Sequence, residues 1–440
     1  MGLENILFIV ALAAGIGLFA RQVRRIARNV RLGRDEDRSD RKAERWGVMA
    51  RVALGQGKMV VRPVAGIMHI LIYVGFVLIN LEVLEIIIDG IFGTHRVLSF
   101  LGGFYDLMIG VFEWLALGVV VACVVFLARR LVIRIPRFKG REMTSWPKRD
   151  AVYILLIELV LMGALLKMNA VDQLLQERGA EHFVKAGSFP VSSWLTPFFA
   201  GMDTGTLLVL ERVYWWAHIL GILAFLNYLP ISKHFHIILA FPNTWYSKLE
   251  PRTQVRNMPR ITEEVRLMMD PSADPYATPA EGDGAPPERF GARDVQDLSW
   301  KSLLDAYTCT ECGRCTSECP ANLTGKLLSP RKIMMDTRDR LEEVGRNIDA
   351  NNGTFQDDGK ALLGDYISEE ELWACTTCNA CTQACPVNID PVAIIMDMRR
   401  NLVMEESRPR PALTTMLTNV ENNGAPWQFA QADRMKWTEE

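Results

Sequence analysis

Apolar residues are unevenly placed along this chain: long hydrophobic runs fall before about residue 241, and the remainder is polar and broken by proline. Five runs, at about 3–20, 64–88, 105–128, 151–168 and 207–230, are each long enough to cross roughly 30 Å of hydrocarbon as a helix. A backbone in lipid must satisfy its own hydrogen bonds, and a short apolar run does so as a helix. The pattern predicts a mainly α fold, with a five-helix transmembrane bundle over residues 1–245 and a separate water-facing half after it.

The connecting loops orient the bundle. Residues 21–62 hold thirteen Lys and Arg and residues 129–149 hold eight, whereas 91–104 and 169–206 hold one and two. Positive loops stay on the cytoplasmic side, so the N-terminus is expected outside and the C-terminal half in the cytoplasm, on the inner (cytoplasmic) membrane of the cell. The first run has no basic segment before it; Arg21, Arg24, Arg25 and Arg28 follow it, which favours a retained anchor over a cleaved signal. Eight of nine cysteines lie in the C-terminal half, where a reducing compartment keeps thiols free. A formal net charge of −2 offers no basic surplus for phosphates, which argues against a nucleic-acid partner.

Of six histidines, His69, His218, His234 and His236 lie in or beside the apolar runs. A bis-histidine b-type haem needs two imidazoles on facing helices. His218 and His236 are eighteen residues apart, five turns of one helix face or about 27 Å, so they cannot share a haem. His234 is turned away on the same count and reads as a bystander, although Pro230 interrupts the helix and shifts the phase. His69, near the cytoplasmic end of the second run, matches His236 in depth and can pair with it. The plainer alternative for such residues is a hydrogen bond between helices.

Carboxylates in apolar runs are costly unless paired or protonated. Glu82, Glu85, Glu113, Glu158 and Glu211 qualify, and Asn80 falls close to the His69 face. A quinone headgroup needs hydrogen-bond partners and a proton-accepting group, which makes Asn80, Glu82 and Glu85, with His218, the candidate quinone site.

The text from His218 to His236, HILGILAFLNYLPISKHFH, resembles the last helix of the gamma (cytochrome b) subunit of respiratory nitrate reductases, and the likeness extends over about residues 1–245. It implies that each of these two histidines pairs with one from the second helix. His69 matches the cytoplasmic-side partner. The other partner position holds Ile79, a departure from the family. One haem b is therefore expected, and a second only if His95, in the outer loop FGTHR, folds back to reach His218. Otherwise His218 is a polar group free to hydrogen-bond a quinone.

Residues 246–298, with five prolines between Asp270 and Gly291, read as a connector that would carry the next module away from the membrane. That module, residues 299–405, contains the strongest pattern in the chain. CTECGRCTSECP (Cys309, Cys312, Cys315, Cys319) and CTTCNACTQACP (Cys375, Cys378, Cys381, Cys385) both have the spacing in which three thiolates hold one cubane and the fourth ligates the other. Cys309, Cys312, Cys315 and Cys385 are thus expected to hold one [4Fe-4S] cluster, and Cys375, Cys378, Cys381 and Cys319 a second. A zinc site would leave the CxxxCP element without a role. Each motif precedes a capped helix start, Ser329-Pro330 and Asp390-Pro391, so the module is an internal repeat. Residues 406–440 form a polar tail with Trp427 and Trp437.

The 55 residues between Cys319 and Cys375 are too many for a small β-strand ferredoxin and favour a cytoplasmic α-helical ferredoxin domain. This part resembles the small iron–sulfur subunit of heterodisulfide reductases and, more distantly, the helical domain of succinate dehydrogenase iron–sulfur subunits. No dinucleotide fingerprint, P-loop or CCG-type cysteine cluster accompanies it. Together the resemblances imply a subunit of a membrane quinone oxidoreductase in a respiratory chain. It would relay electrons between a soluble partner, the clusters, haem and the quinone pool, and reduce quinone. The implied partner is a CCG-domain reductase-like subunit or an electron-transferring flavoprotein, and the soluble substrate's site would lie on it. The competing expectation is a membrane-anchored ferredoxin or docking subunit with no haem or quinone chemistry.

Overall fold

The computed structural model describes residues 2–272 and 289–439 and contains helices but no β-strand among them. The expected connector therefore has its middle, 273–288, outside the described residues. Five long apolar helices are present: α1 (Leu3–Val30), α3 (Pro63–Phe92), α4 (Gly103–Leu131), α5 (Ser145–Glu177) and α6 (Thr204–Tyr228), with the short α2 (Lys42–Met49) in the loop between α1 and α3. Each overlaps one of the five apolar runs. Neighbour packs on neighbour from α3 through α6, and α1 touches both α3 and α6, so the five close into a ring. Small residues set the closest approaches. A Cβ on Gly90 of α3 would lie 2.6 Å from the ring of Phe8, which is 1% exposed in α1. Outward positions such as Val77, Leu84, Trp114 and Val209 are exposed and apolar, as a lipid-facing surface requires.

One correction concerns the fifth span. The eighteen-residue spacing suggested a single helix from His218 to His236, but α6 stops at Tyr228. Two 3₁₀ turns come next, Leu229–Ile231 and Lys233–Phe235, separated by an extended Ser232, and α7 (His236–Trp245) begins at the histidine itself. Pro230 has no N–H to give and its ring clashes with the preceding turn, which breaks the ladder.

The water-facing half is built from α9 (Trp300–Thr308), α10 (Arg314–Ser317), α11 (Pro320–Leu323), α12 (Pro330–Ala350), α13 (Glu369–Ala374), α14 (Ala380–Ala384) and α15 (Pro391–Arg400). Ser329 caps α12 through Lys332 N, and Asp390 caps α15 through Val392 N and Ala393 N, so both expected helix starts are present. The connector contains α8 (Pro259–Met269), and the tail contains α16 (Pro411–Asn423); sequence polarity had suggested neither.

The expectation that the module stands away from the membrane is overturned. The C-terminal end of α1 docks on α9 and α12. Its buried Asn29 donates to Tyr307 Oη at 2.8 Å, and Arg28 donates to Gly345 O at 3.0 Å. The chain then pairs Arg34 with Ser299, and Trp300 Nε1 reaches Glu36 O at 2.9 Å. From the loop before α5, Glu142 accepts from Arg331 Nε at 2.8 Å and Nη2 at 2.6 Å, both side chains being largely covered. From α7, Asn243 donates to Val387 O at 2.9 Å. One hydrophobic core runs through both halves.

Candidate metal and electron-transfer site

The two cysteine motifs fold alike. Glu311 and Thr377, each two residues after the first cysteine, have φ of +53° and +56°; Gly313 and Asn379 have φ of +70° and +59°. Paired left-handed residues wind each CxxCxxC into a loop, and α10 and α14 continue from it. At Gly313 a side chain would also meet Arg331 at 2.6 Å and Arg137 O at 3.0 Å. Cys309, Cys312, Cys315 and Cys385 line one small cavity, of about 20 Å³. The fourth cysteine of the second motif thus joins three of the first. Cys319 in turn lies within electrostatic reach of Cys375, beside Cys378.

Among the described residues no three His, Cys, Asp or Glu side chains converge as they would around a single ion. The cysteine-only quartets fit a polynuclear iron–sulfur group better than a lone metal. Backbone N–H groups already point at sulfur, from Thr377 to Cys375 at 3.4 Å and from Ile389 to Cys385 at 3.3 Å. Burial, with neighbouring thiols adding to it, pushes Cys309 up to about 12 and Cys385 up to about 11. Protons must therefore leave as iron is bound.

His69 and His236 come together. Their ring centres are 6.3 Å apart and tilted by 41°. A metal–imidazole bond is about 2 Å and the ring centre lies about 1 Å behind its nitrogen, so two imidazoles on opposite sides of one iron have centres about 6 Å apart. His236 Nδ1 is 3.0 Å from Lys233 O, which fixes Nδ1 as the donor and leaves Nε2 as the free ligand atom. Burial holds His236 below its ordinary value, keeping it neutral, the ligating form. His69 Nδ1 is buried with no partner.

Both rings line a cavity of about 310 Å³ that is apolar toward the bilayer, at Ile72, Tyr73 and Phe76. The same cavity is lined by Arg129, Arg130, Arg137 and Arg314 and, from the iron–sulfur half, by Cys312 and Pro386. The arginines suit the two carboxylates that a b-type haem carries. His234 also lines this cavity, which corrects the expectation that it is turned away. The 3₁₀ turn swings its ring to 5.6 Å from that of His236.

At the other end of the bundle the predicted residues separate. His218 is 1% exposed; its Nδ1 is 3.0 Å from Leu161 O, and its Nε2 has no partner. His95 is engaged elsewhere, with Nε2 3.1 Å from Asp172 Oδ1 and Nδ1 accepting from Val184 N at 3.3 Å. Its ring packs on Phe183 and His182, so the loop does not bring it to His218 as a free ligand. Asn80 is exposed on the outside of α3, its amide turned back to Phe76 O, and does not join Glu82 and Glu85. Those two face an outer cavity of about 640 Å³ together with Arg96 and Asp172. Glu85 accepts from Tyr105 Oη and Leu98 N, both at 2.8 Å, whereas Glu82 Oε1 is buried without a partner. Glu113 is structural: it accepts from Val191 N at 2.8 Å and Ser192 N at 3.0 Å.

Several residues that sequence reasoning passed over lie between the two candidate centres. Glu311, inside the first motif, accepts from Arg338 Nη1 at 2.7 Å and pairs with Lys233 of the histidine turn. Lys58 donates to Cys385 O at 3.0 Å and Thr382 O at 3.4 Å, and Arg314 returns a bond to Lys58 O at 2.9 Å. The one available hint was a carboxylate placed between two cluster cysteines.

Comparison with known proteins agrees with this chemistry. A family model described as a 4Fe-4S dicluster domain matches residues 308–389. The probable iron-sulfur-binding oxidoreductase FadF of Bacillus subtilis is 29% identical over 99% of this chain and 61% of its own length. The EtfAB:quinone oxidoreductase of Syntrophomonas wolfei is 28% identical over 92% of this chain and 55% of its own. The small C chain of a ferredoxin/F420H2-dependent CoB-CoM heterodisulfide reductase of Methanosarcina acetivorans is 34% identical over 23% of this chain and 49% of its own. No solved structure matches. The chain thus spans little more than half the length of its two long relatives, whose likeness crosses both of its halves. It carries a region matched by a 4Fe-4S dicluster model, is similar along most of its length to iron–sulfur oxidoreductases, and has five helices apolar enough to cross a membrane.

Proposed function

We propose that this chain passes electrons from a soluble donor to quinone in the bilayer. The donor would be a CCG-domain reductase-like subunit or an electron-transferring flavoprotein. Cys309, Cys312, Cys315 and Cys385 would hold one [4Fe-4S] cluster, Cys375, Cys378, Cys381 and Cys319 a second, and His69 and His236 a b-type haem. These groups supply one-electron carriers; the chain's own part is to hold them close together and exclude water between them. The carrying observation is the shared cavity, whose wall includes His69 and His236 on one side and Cys312 on the other. The names of the relatives, an EtfAB:quinone oxidoreductase among them, support the soluble donor and the quinone acceptor. The gamma-subunit likeness of residues 1–245 supports the haem. Lys233 O orients His236, and Glu82, Glu85 and His218 remain the candidates for quinone contact away from the cytoplasmic cavity.

The test is a haem count per chain on detergent-purified protein, with total iron measured alongside. One haem that disappears in His236→Ala and in His69→Ala while the cluster signals persist is the expected result. No haem in the parent protein would overturn the haem assignment. It would also favour the second reading, a membrane-anchored ferredoxin. A relative so named, from Chromohalobacter salexigens, is 30% identical over 34% of this chain.

A further inference from the structure

The two cysteine quartets differ in the charge around them, and the difference comes from the membrane half. Around Cys309, Cys312, Cys315 and Cys385 the cations gather. Lys58, from the first cytoplasmic loop, is held on Cys385 O and Thr382 O. Arg129, Arg130 and Arg137 line the cavity that Cys312 also lines, with Arg314 of the motif itself beside them. Arg130, Arg137 and Arg314 act electrostatically on Cys312, and Lys58 and Arg314 on Cys385. The nearby carboxylate, Glu311, is neutralised twice over, by Lys233 and by Arg338.

Among the described residues fewer cations reach the other quartet, Arg399 with Arg410 beside it over Trp373. Arg399 donates to Cys375 O at 2.5 Å, but Asp390 opposes it at Cys381. Glu318, next to Cys319, is paired with Arg62 at 2.9 Å. Cys378 is exposed to solvent, so this is the quartet a soluble donor can approach.

Reduction adds negative charge to a cluster, so nearby cations favour the reduced form and raise its potential. Burial acts the other way, because a more negative group in a low dielectric is destabilised. The inner quartet is the more buried, and burial alone would make it the harder to reduce. The cations from the membrane half, with Arg314 of the motif loop, are set against that loss.

We infer that the membrane half sets the order of the clusters: its cations, Lys58 foremost, hold the inner cluster at the higher reduction potential, so electrons entering at the outer cluster run toward the bilayer. The step moves one electron, oxidising the outer cluster and reducing the inner one, and no bond or proton moves. The soluble donor is the reductant and quinone the final oxidant. This rests on the two-cluster reading above but not on the haem.

The experiment is a redox titration of the purified full chain followed by electron paramagnetic resonance. The parent protein is compared with Lys58→Met, Lys58→Arg and Cys378→Ser, the last identifying the outer signal by altering it. The cluster insensitive to Cys378→Ser should titrate at the higher potential. Lys58→Met should lower that potential alone, and Lys58→Arg should restore it, separating charge from packing. The inference is overturned if the inner cluster titrates at or below the outer one, if Lys58→Met moves both equally or neither, or if Lys58→Arg behaves like Lys58→Met. Iron sufficient for one cluster only would overturn the two-cluster reading and this proposal with it, whereas a missing haem leaves every one of these outcomes readable.

Discussion

Glu311→Gln is the most informative single change at the junction of the two halves. The substitution keeps the shape of the side chain and removes its charge, leaving two buried or half-buried cations, Lys233 and Arg338, without their shared carboxylate. Breaking one side of a buried ion pair costs roughly 3–5 kcal/mol, because the remaining charge stays desolvated. Compensation here is partial. Arg338 keeps Asp339 at 3.0 Å, and Lys233 keeps Pro147 O at 2.6 Å and Asp150 at 3.8 Å. The expected loss is therefore near the lower end, about 3 kcal/mol. Lys233→Met alone should cost less, since Glu311 retains Arg338.

The double variant separates pairing from general damage. Removing Lys233 as well takes away one stranded cation, so Glu311→Gln with Lys233→Met should cost less than the sum of the singles, by about 1–3 kcal/mol of coupling. The assay is the thermal midpoint for loss of visible cluster absorbance in detergent, with thiol accessibility as an independent probe. Strict additivity would show that the pair is not coupled, and an unchanged midpoint in Glu311→Gln would refute the reasoning altogether.

Single contacts elsewhere make further predictions. Glu142 lies below its ordinary value of 4.5, burial opposing but Arg331 and Ser329 prevailing, so its stabilising effect is present above about pH 4.5 and is lost as pH falls through its folded value. Glu142→Gln should therefore be less stable than the parent at pH 7, with the difference in thermal midpoint shrinking as the pH is taken below that folded value. Gly345→Ala would place a methyl 2.5 Å from the Asn29 side chain and should cost about 1–3 kcal/mol, read as earlier protease cleavage between the halves. Arg340 is fully buried between Asp294 and Asp358, so Arg340→Met should strand two carboxylates and cost roughly 3–5 kcal/mol, with charge removal in Asp294→Asn/Asp358→Asn recovering part of it. Glu82→Gln changes a carboxylate with one buried oxygen that has no partner and should leave fold and cluster content intact, checked by thermal midpoint and iron analysis.

The linear text was enough for whatever depends on local period and spacing. Apolar runs of bilayer length have one way to satisfy their backbone in lipid, so the five spans were legible. The cysteine spacing was equally direct, because a CxxCxxC loop is a local structure; its left-handed positions at Glu311, Gly313, Thr377 and Asn379 repeat with it. Ser329-Pro330 and Asp390-Pro391 marked helix starts for the same reason, since a cap bonds only two or three residues ahead. Matching depths sufficed to expect His69 and His236 near one another, and their rings line one cavity.

Only the tertiary structure decided what lies across a contact. Counting along one helix misplaced His234, because Pro230 replaces five regular turns with a shorter helix, two 3₁₀ turns and an extended serine. Counting put Asn80 near the His69 face, but that position on α3 turns out to face outward while Glu82 faces in. Nothing in the text announces that Asn29 meets Tyr307, that Arg331 reaches back to Glu142, or that Lys58 rests on Cys385, residues separated by as many as 327 positions. Those pairings depend on the shape of two surfaces, and they are what turn an anchor and a ferredoxin into one packed body.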